Sequence, residues 1–201
     1  MARPDRIRGQ RNRVRIAQAS ARLIAEHGLT DWTAAKRKAC KELGLNDDEA
    51  LPTNDEIEQA LHAYNALFRA GTHPACLRTQ REAALEWMQR LSQWDPVLVG
   101  GVAEGWATEH SDVRIELEAE DPKPVELALI NAGVHYVAAP TQGERTDSTQ
   151  LLIEPGDIAI RLLIVSPQRR RHRSRREEDA RISTGELREL LSPGGGPAHR
   201  R

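Results

Sequence analysis

The residues best placed to do chemistry lie in one stretch, LVGGVAEGWATEHSDVRIEL, residues 98–117. It holds the pair Gly100-Gly101, a further glycine, Gly105, and a charged run that opens at Asp112. SDVRIEL alternates strictly, so a strand there sends Val113, Ile115 and Leu117 to one face and Asp112, Arg114 and Glu116 to the other. A glycine turn lets backbone amides approach a ligand, because no side chain intervenes. Carboxylates on one strand face can share a divalent cation. Here the acids are separated by Arg114, with Glu116 about 7 Å beyond it at strand rise. A guanidinium stays charged and cannot ligate a cation. Two chemistries are therefore open at this strand. Asp112 and Glu116 hold a metal with help from another ligand, or the three charges form a ladder on a solvated face with Arg114 between the acids.

The same stretch resembles the nucleotidyltransferase fold of the DNA polymerase β superfamily in its small bacterial forms. Those proteins share a strand, a Gly-Gly or Gly-Ser turn, a spacer, and a strand bearing Asp-x-Asp. The resemblance spans residues 97–165: Gly100-Gly101 matches the turn, Gly105 a second glycine often found nearby, and Ser111-Asp112-Val113 the start of the aspartate strand. It implies that Gly100, Gly101 and Gly105 cradle nucleotide phosphate. It also implies that Asp112 and Glu116 hold Mg²⁺ for in-line attack on the triphosphate. A third carboxylate on a neighbouring strand, Asp157 or else Glu154, completes the catalytic set of Asp112, Glu116 and Asp157.

Two residues depart from that pattern. Arg114 replaces the second metal-binding aspartate. Glu104 stands beside the second glycine, where many members carry an arginine, and a carboxylate there repels phosphate. The resemblance thus implies a degenerate metal site in a protein that binds nucleotide or nucleic acid and has lost catalysis, with Mg²⁺ as cofactor only if activity survives. Glu154-Pro155-Gly156-Asp157 also reads as an ordinary hairpin turn.

The elements that must position these residues follow from periodicity. Residues 11–27 carry a helical apolar stripe through Val14, Ile16, Ala17, Ala21, Ile24 and Ala25, and Gly28 ends it. Thr30 or Asp31 caps a second helix that stops at Gly44. Pro52, Thr53 and Asn54 open a third, with Ile57, Leu61, Tyr64 and Phe68 on one face. Pro74 suits the first turn of a fourth, which ends at Asp95-Pro96. After Pro96 the period changes to that of strands. VLVGGVA, SDVRIEL, HYVAAP, TQLLIE and DIAIRLLIVS read as strands, the last two as a hairpin, with a short helix over PKPVELALINAG. The expected fold is α+β: an N-terminal helical bundle over residues 1–95, a small mixed sheet of nucleotidyltransferase type over 96–166, and a basic tail with a short helix, capped by Ser183 or Thr184, over 167–201.

Charge is divided among these parts. Residues 1–41 hold 11 Lys/Arg against 3 Asp/Glu, residues 42–168 hold 8 against 22, and residues 169–201 hold 10 against 5. The formal net charge of −1 is their cancellation, which excludes a uniformly basic nucleic-acid coat protein and leaves nucleic-acid contact to the ends. RRRHRSRR would hold phosphates through Arg169, Arg170, Arg171, Arg173, Arg175 and Arg176, or fold back onto the acidic middle. RIAQASARLIAEHGLTDW is similar to the first helix of TetR-type regulators and the turn after it, with Lys36, Arg37, Lys38 and Lys41 following. The segment where their recognition helix would stand, NDDEALPTNDEIEQ, is acidic. An alternative function is therefore a non-enzymatic regulator or adaptor that contacts DNA or RNA through its basic ends.

The wider order also resembles a family of uncharacterised bacterial proteins that share LIAEHGL, AKRKA and NDEIEQAL. A Mur ligase is excluded, because the chain has no Gly-Lys-Thr or Gly-Lys-Ser triplet. No run of apolar residues is long enough for a membrane span. The basic N-terminus lacks the apolar core of a secretory signal. Cys40 and Cys76 fall in helical patterns and read as buried thiols of a reducing compartment, which places the protein in the cytoplasm. Trp32, Trp87, Trp94 and Trp106 read as core-capping residues, with base stacking the alternative for Trp106.

Overall fold

The computed structural model describes residues 3–29, 31–45, 51–139, 149–154, 156–171 and 180–192. They form an α+β chain in the order α1 (Arg3–His27), α2 (Trp32–Glu42), α3 (Asn54–Phe68), α4 (His73–Arg90), β1 (Val97–Val99), α5 (Gly101–Glu104), β2 (Val113–Glu118), α6 (Lys123–Asn131), β3 (Val137–Ala138), β4 (Thr149–Ile153), β5 (Ile160–Val165), α7 (Pro167–Arg171), β6 (Arg181–Ser183) and α8 (Thr184–Leu191). The chain divides into two compact units, Met1–Ala75 with Thr108–His110, and Cys76–Ala107 with Ser111–Arg201. The division falls inside α4, twenty residues before the expected end of the helical region.

In the helical unit, α1 packs against both α2 and α3. Ile16, Leu23, Ala39 and Cys40 close its core. The Asp31 side chain caps α2 by accepting from the amides of Thr33 at 2.8 Å and Ala34 at 3.1 Å. Thr53 and Glu56 form a reciprocal capping box on α3. The buried stripe of α3 runs Ile57, Leu61, Asn65, four residues at a time. Phe68, expected on that face, is 71% exposed. It is the last residue of the helix, and its ring lies against Tyr64 at 4.9 Å. The unit is also tied by ion pairs of Arg13 with Glu56, Arg22 with Glu42, and Arg69 with Glu109.

The second unit is built on a six-stranded mixed sheet of order β3-β4-β5-β2-β1-β6. Among the described residues only β2 and β5 run parallel, and the other pairings are antiparallel. One face is apolar. Ile115, Leu117, Leu98, Leu162 and Leu151 pack there with Trp87 and Met88 of α4, Leu129 of α6 and Leu187 of α8. Charged residues alternate with these and leave the opposite face, as the period-2 pattern requires.

Three local expectations are corrected. VLVGGVA is a strand only to Val99, and Gly101–Glu104 turns into a short helix. HYVAAP contributes only Val137 and Ala138 to the sheet. The segment read as a tail is partly structural: Arg181–Ser183 pairs with β1, and α8 buries Leu187 in the core. Ser183 does cap α8, through a capping box with Glu186. Among the described residues, no helix is long and apolar enough to cross a membrane.

Candidate functional site

The glycine turn joins β1 to β2. Gly100 has φ +71°, a backbone region that favours glycine. A Cβ there would stand 3.4 Å from Cδ of Arg114, so the Arg114 stem runs beside the turn. Gly101 is required for a different reason: a Cβ would come within 2.6 Å of the Trp106 ring. The Gly101 carbonyl accepts from the amides of Gly105, Trp106 and Ala107, and Gly105 closes the turn at φ +91°. Glu104 accepts from the Trp106 indole at 2.9 Å. Trp106 is therefore a packing residue, 9% exposed. From α4, Arg81 donates to the carbonyls of Val102 and Ala103, and burial pulls its pKa down.

Asp112 directly precedes β2. Gln80 of α4, itself buried, donates to the carbonyl of the neighbouring Ser111 at 3.3 Å. The Asp112 carboxylate is engaged from the parallel strand: Arg161 donates Nε at 2.8 Å and Nη2 at 2.5 Å to the same oxygen, Oδ2. The third nitrogen of Arg161 lies 3.5 Å from Oε1 of Gln150 on β4.

Glu116 is only 2% exposed. Its cross-strand neighbours are Val97 on β1 and Leu163 on β5, so the carboxylate rises between two apolar side chains. Burying a charge is tolerated only when it is paired. Arg181 of β6 supplies one partner, at 2.7 Å and 3.3 Å. Arg170 of α7 supplies another, with Nε 3.6 Å from Glu116. The same Arg170 donates to Glu118 at 3.0 Å and to the carbonyl of Asp95 at 2.9 Å.

The expected ladder on β2 is thus spread over four elements, and at Glu116 it is not solvated. The partners of Asp112 and Glu116 come from β5, β6 and α7. Asp157 and Glu154, the two choices for a third carboxylate, are both exposed. Glu154 follows the end of β4, and Asp157 lies in the bend before β5. The β5 residue in register with Arg114 is Arg161. Among the described residues, no three His, Cys, Asp or Glu side chains are grouped to hold a metal ion.

Of the arginines expected to meet nucleic acid, Arg170 is committed to Glu116 and Glu118. Arg169 is half-buried and Arg171 exposed. Arg173, Arg175 and Arg176 lie outside the described residues. Arg170 meets the acidic middle, the fold-back alternative for its run, whereas Arg161 and Arg181 as carboxylate partners were missed in the sequence. A signal existed for one: Arg161 is the single charged residue in IAIRLLIV, and an arginine inside an otherwise buried strand needs an acid nearby.

No family model, no curated protein and no solved structure matches the chain.

Proposed function

We propose that this chain is a nucleotidyltransferase-like protein with a degenerate metal site, which binds nucleotide or nucleic acid and does not catalyse transfer. The resemblance of Gly100-Gly101 and Asp112 to the superfamily motif is supported by the order of elements around them. A strand leads into a glycine turn, an aspartate opens the antiparallel neighbour, and a helix and hairpin return the chain to a strand parallel to it. The observation that carries the loss of catalysis is the engagement of Asp112 by Arg161 and of Glu116 by Arg181. A carboxylate held by a guanidinium, as Asp112 is through Oδ2, is a poorer ligand for Mg²⁺, which takes near-ideal octahedral oxygen coordination.

The test is a transfer assay with labelled nucleoside triphosphates and Mg²⁺ or Mn²⁺, run beside thermal unfolding with the same ligands. The expected result is no transfer by either the native chain or Asp112→Asn, and an unfolding temperature of the native chain that rises with ligand. Metal-dependent transfer that disappears in Asp112→Asn would show a live enzyme. No response to any nucleoside triphosphate or oligonucleotide, with or without metal, would remove the binding role.

A second reading, a non-enzymatic regulator or adaptor, is favoured by one feature of the helical unit. Arg8, Arg11 and Arg15 are exposed along α1 at spacings of three and four, a stripe suited to phosphates. The acidic first turn of α3, Asp55 and Glu56, opposes a recognition helix there. A salt-dependent gel shift decides the matter. Binding to DNA or RNA at low salt that is lost when all three arginines become glutamine supports the adaptor, and unchanged binding removes it.

A further inference from the structure

The helical unit sorts its cations into two sets. Arg13 and Lys36 turn towards α3, where Arg13 donates to Glu56 at 2.8 Å and Lys36 to the Asn54 side chain at 2.9 Å. Arg22 pairs with Glu42. The second set is Arg8, Arg11 and Arg15 of α1 with Arg37, Lys38 and Lys41 of α2. All are exposed, and among the described residues none of them has a carboxylate partner. The second set lies on one surface. Arg8, Arg11, Arg15 and Arg22 follow one another at three, four and seven residues, which keeps them on one side of α1. Arg22 donates to Glu42 at 2.9 Å, and Glu42 stands one turn beyond Lys38, so this ion pair joins the α1 stripe to the exposed side of α2. Arg37 and Lys41 are likewise one turn apart. Among the described residues, no exposed position of α1 or α2 is Phe, Tyr or Trp. The surface therefore offers charge on two rigid helices without a platform for stacking unpaired bases. That combination suits the phosphodiester backbone of a duplex, whose bases are already stacked on one another.

We propose that the joined α1–α2 surface binds duplex nucleic acid through its phosphate backbone, without reading base sequence. This partner rests on the adaptor reading of the chain and adds α2 to the stripe of α1. Phosphate contacts fix position and carry no sequence information directly. Each cation that meets a phosphate releases a counterion, so the number of contacts is read from the salt dependence of binding.

The test is fluorescence anisotropy of the full chain with labelled DNA duplexes of unrelated sequence, titrated over a range of salt. The expected result is equal affinity for the duplexes, weaker binding of oligothymidylate, and a log–log salt slope of about −5 for six contacts. Replacing Arg37, Lys38 and Lys41 together by glutamine should weaken binding by about tenfold or more and bring the slope to about half. It should also keep the native unfolding temperature, since all three are exposed. Lys123→Gln with Arg188→Gln, exposed in the sheet unit, should leave binding unchanged. An RNA duplex of matched sequence identifies the source: tighter binding of either duplex assigns that one, and equal binding assigns backbone charge alone. Binding that needs Arg8, Arg11 and Arg15 but ignores the loss of the α2 cations overturns the proposal and leaves the adaptor reading standing. Preference for one duplex sequence, or for oligothymidylate, overturns it in the same way. Absence of duplex binding at low salt removes both, and binding of phosphatidylserine vesicles in its place assigns the surface to a membrane.

Discussion

Arg161 on β5 places two of its nitrogens on one oxygen of Asp112, at the head of the neighbouring strand β2. Among the described residues the pair spans the only parallel junction of the sheet, and it takes up one oxygen of the carboxylate that a metal would need. Both side chains are largely enclosed, at 19% and 16% exposure. Removing either one leaves the other charge without its partner. Asp112→Asn and Arg161→Gln are each expected to destabilise the protein by about 2 kcal/mol, below the range for fully buried pairs because some water remains. A double-mutant cycle by chemical denaturation should return a coupling of about 1 kcal/mol or more. Additive effects would show that the two groups act separately.

Glu116 is the stricter case, because its carboxylate sits between Val97 and Leu163 with 3% side-chain exposure. Glu116→Ala removes the carboxylate that Arg181 and Arg170 share, while Arg170 keeps Glu118. A loss of about 3 kcal/mol is expected. Replacing Glu116 and Arg181 together by leucine and methionine should recover much of it, since an apolar pair of similar volume removes the desolvation cost. Thermal unfolding of the three variants checks the order.

Gly101 and Trp106 form a packing pair at the turn before β2. A methyl group on Gly101 would meet the indole at 2.6 Å. Gly101→Ala is expected to cost about 1–3 kcal/mol by overpacking and to disturb the near-ultraviolet signal of tryptophan. Adding Trp106→Leu should relieve the clash. If the single substitution is silent in denaturation, the indole moves freely and does not fix the turn.

The helical unit carries an acid-sensitive pair. Burial alone would push the Glu56 carboxyl up, but bonds from the Thr53 backbone and from Arg13 outweigh it and hold its pKa below the ordinary 4.5. A carboxyl with a depressed folded pKa stabilises the fold above its unfolded value and loses that contribution as pH falls through the folded one. Stability should therefore drop as pH falls below 4.5. Glu56→Gln should lower stability at neutral pH and flatten the drop. Glu109 behaves alike: burial raises its pKa, the bond from Arg69 opposes this, and the net shift is downward. Unfolding measured along the acid limb separates the two when each is replaced in turn.

Much of the fold was legible because local physics dictates it. The stripe of α1, the Thr53 and Ser183 caps, the glycine stops and the strict alternation of SDVRIEL each follow from a few neighbouring residues. The same alternation put Arg114 and Glu116 on one face of β2, with Asp112 directly before it. The sequence by itself therefore determined the longer helices and strands and which side chains of SDVRIEL share a face, but not the short elements α5, α7 and β6. It could not tell which strand would lie beside which. Only the tertiary structure brought Arg161 into register with Arg114, set Glu116 between Val97 and Leu163, and drew Arg181 and Arg170 over it from segments that read as a tail. The reason is physical. A carboxylate's partner and dielectric surroundings are set by groups distant in the chain, and those decide whether it holds a metal, a guanidinium or water.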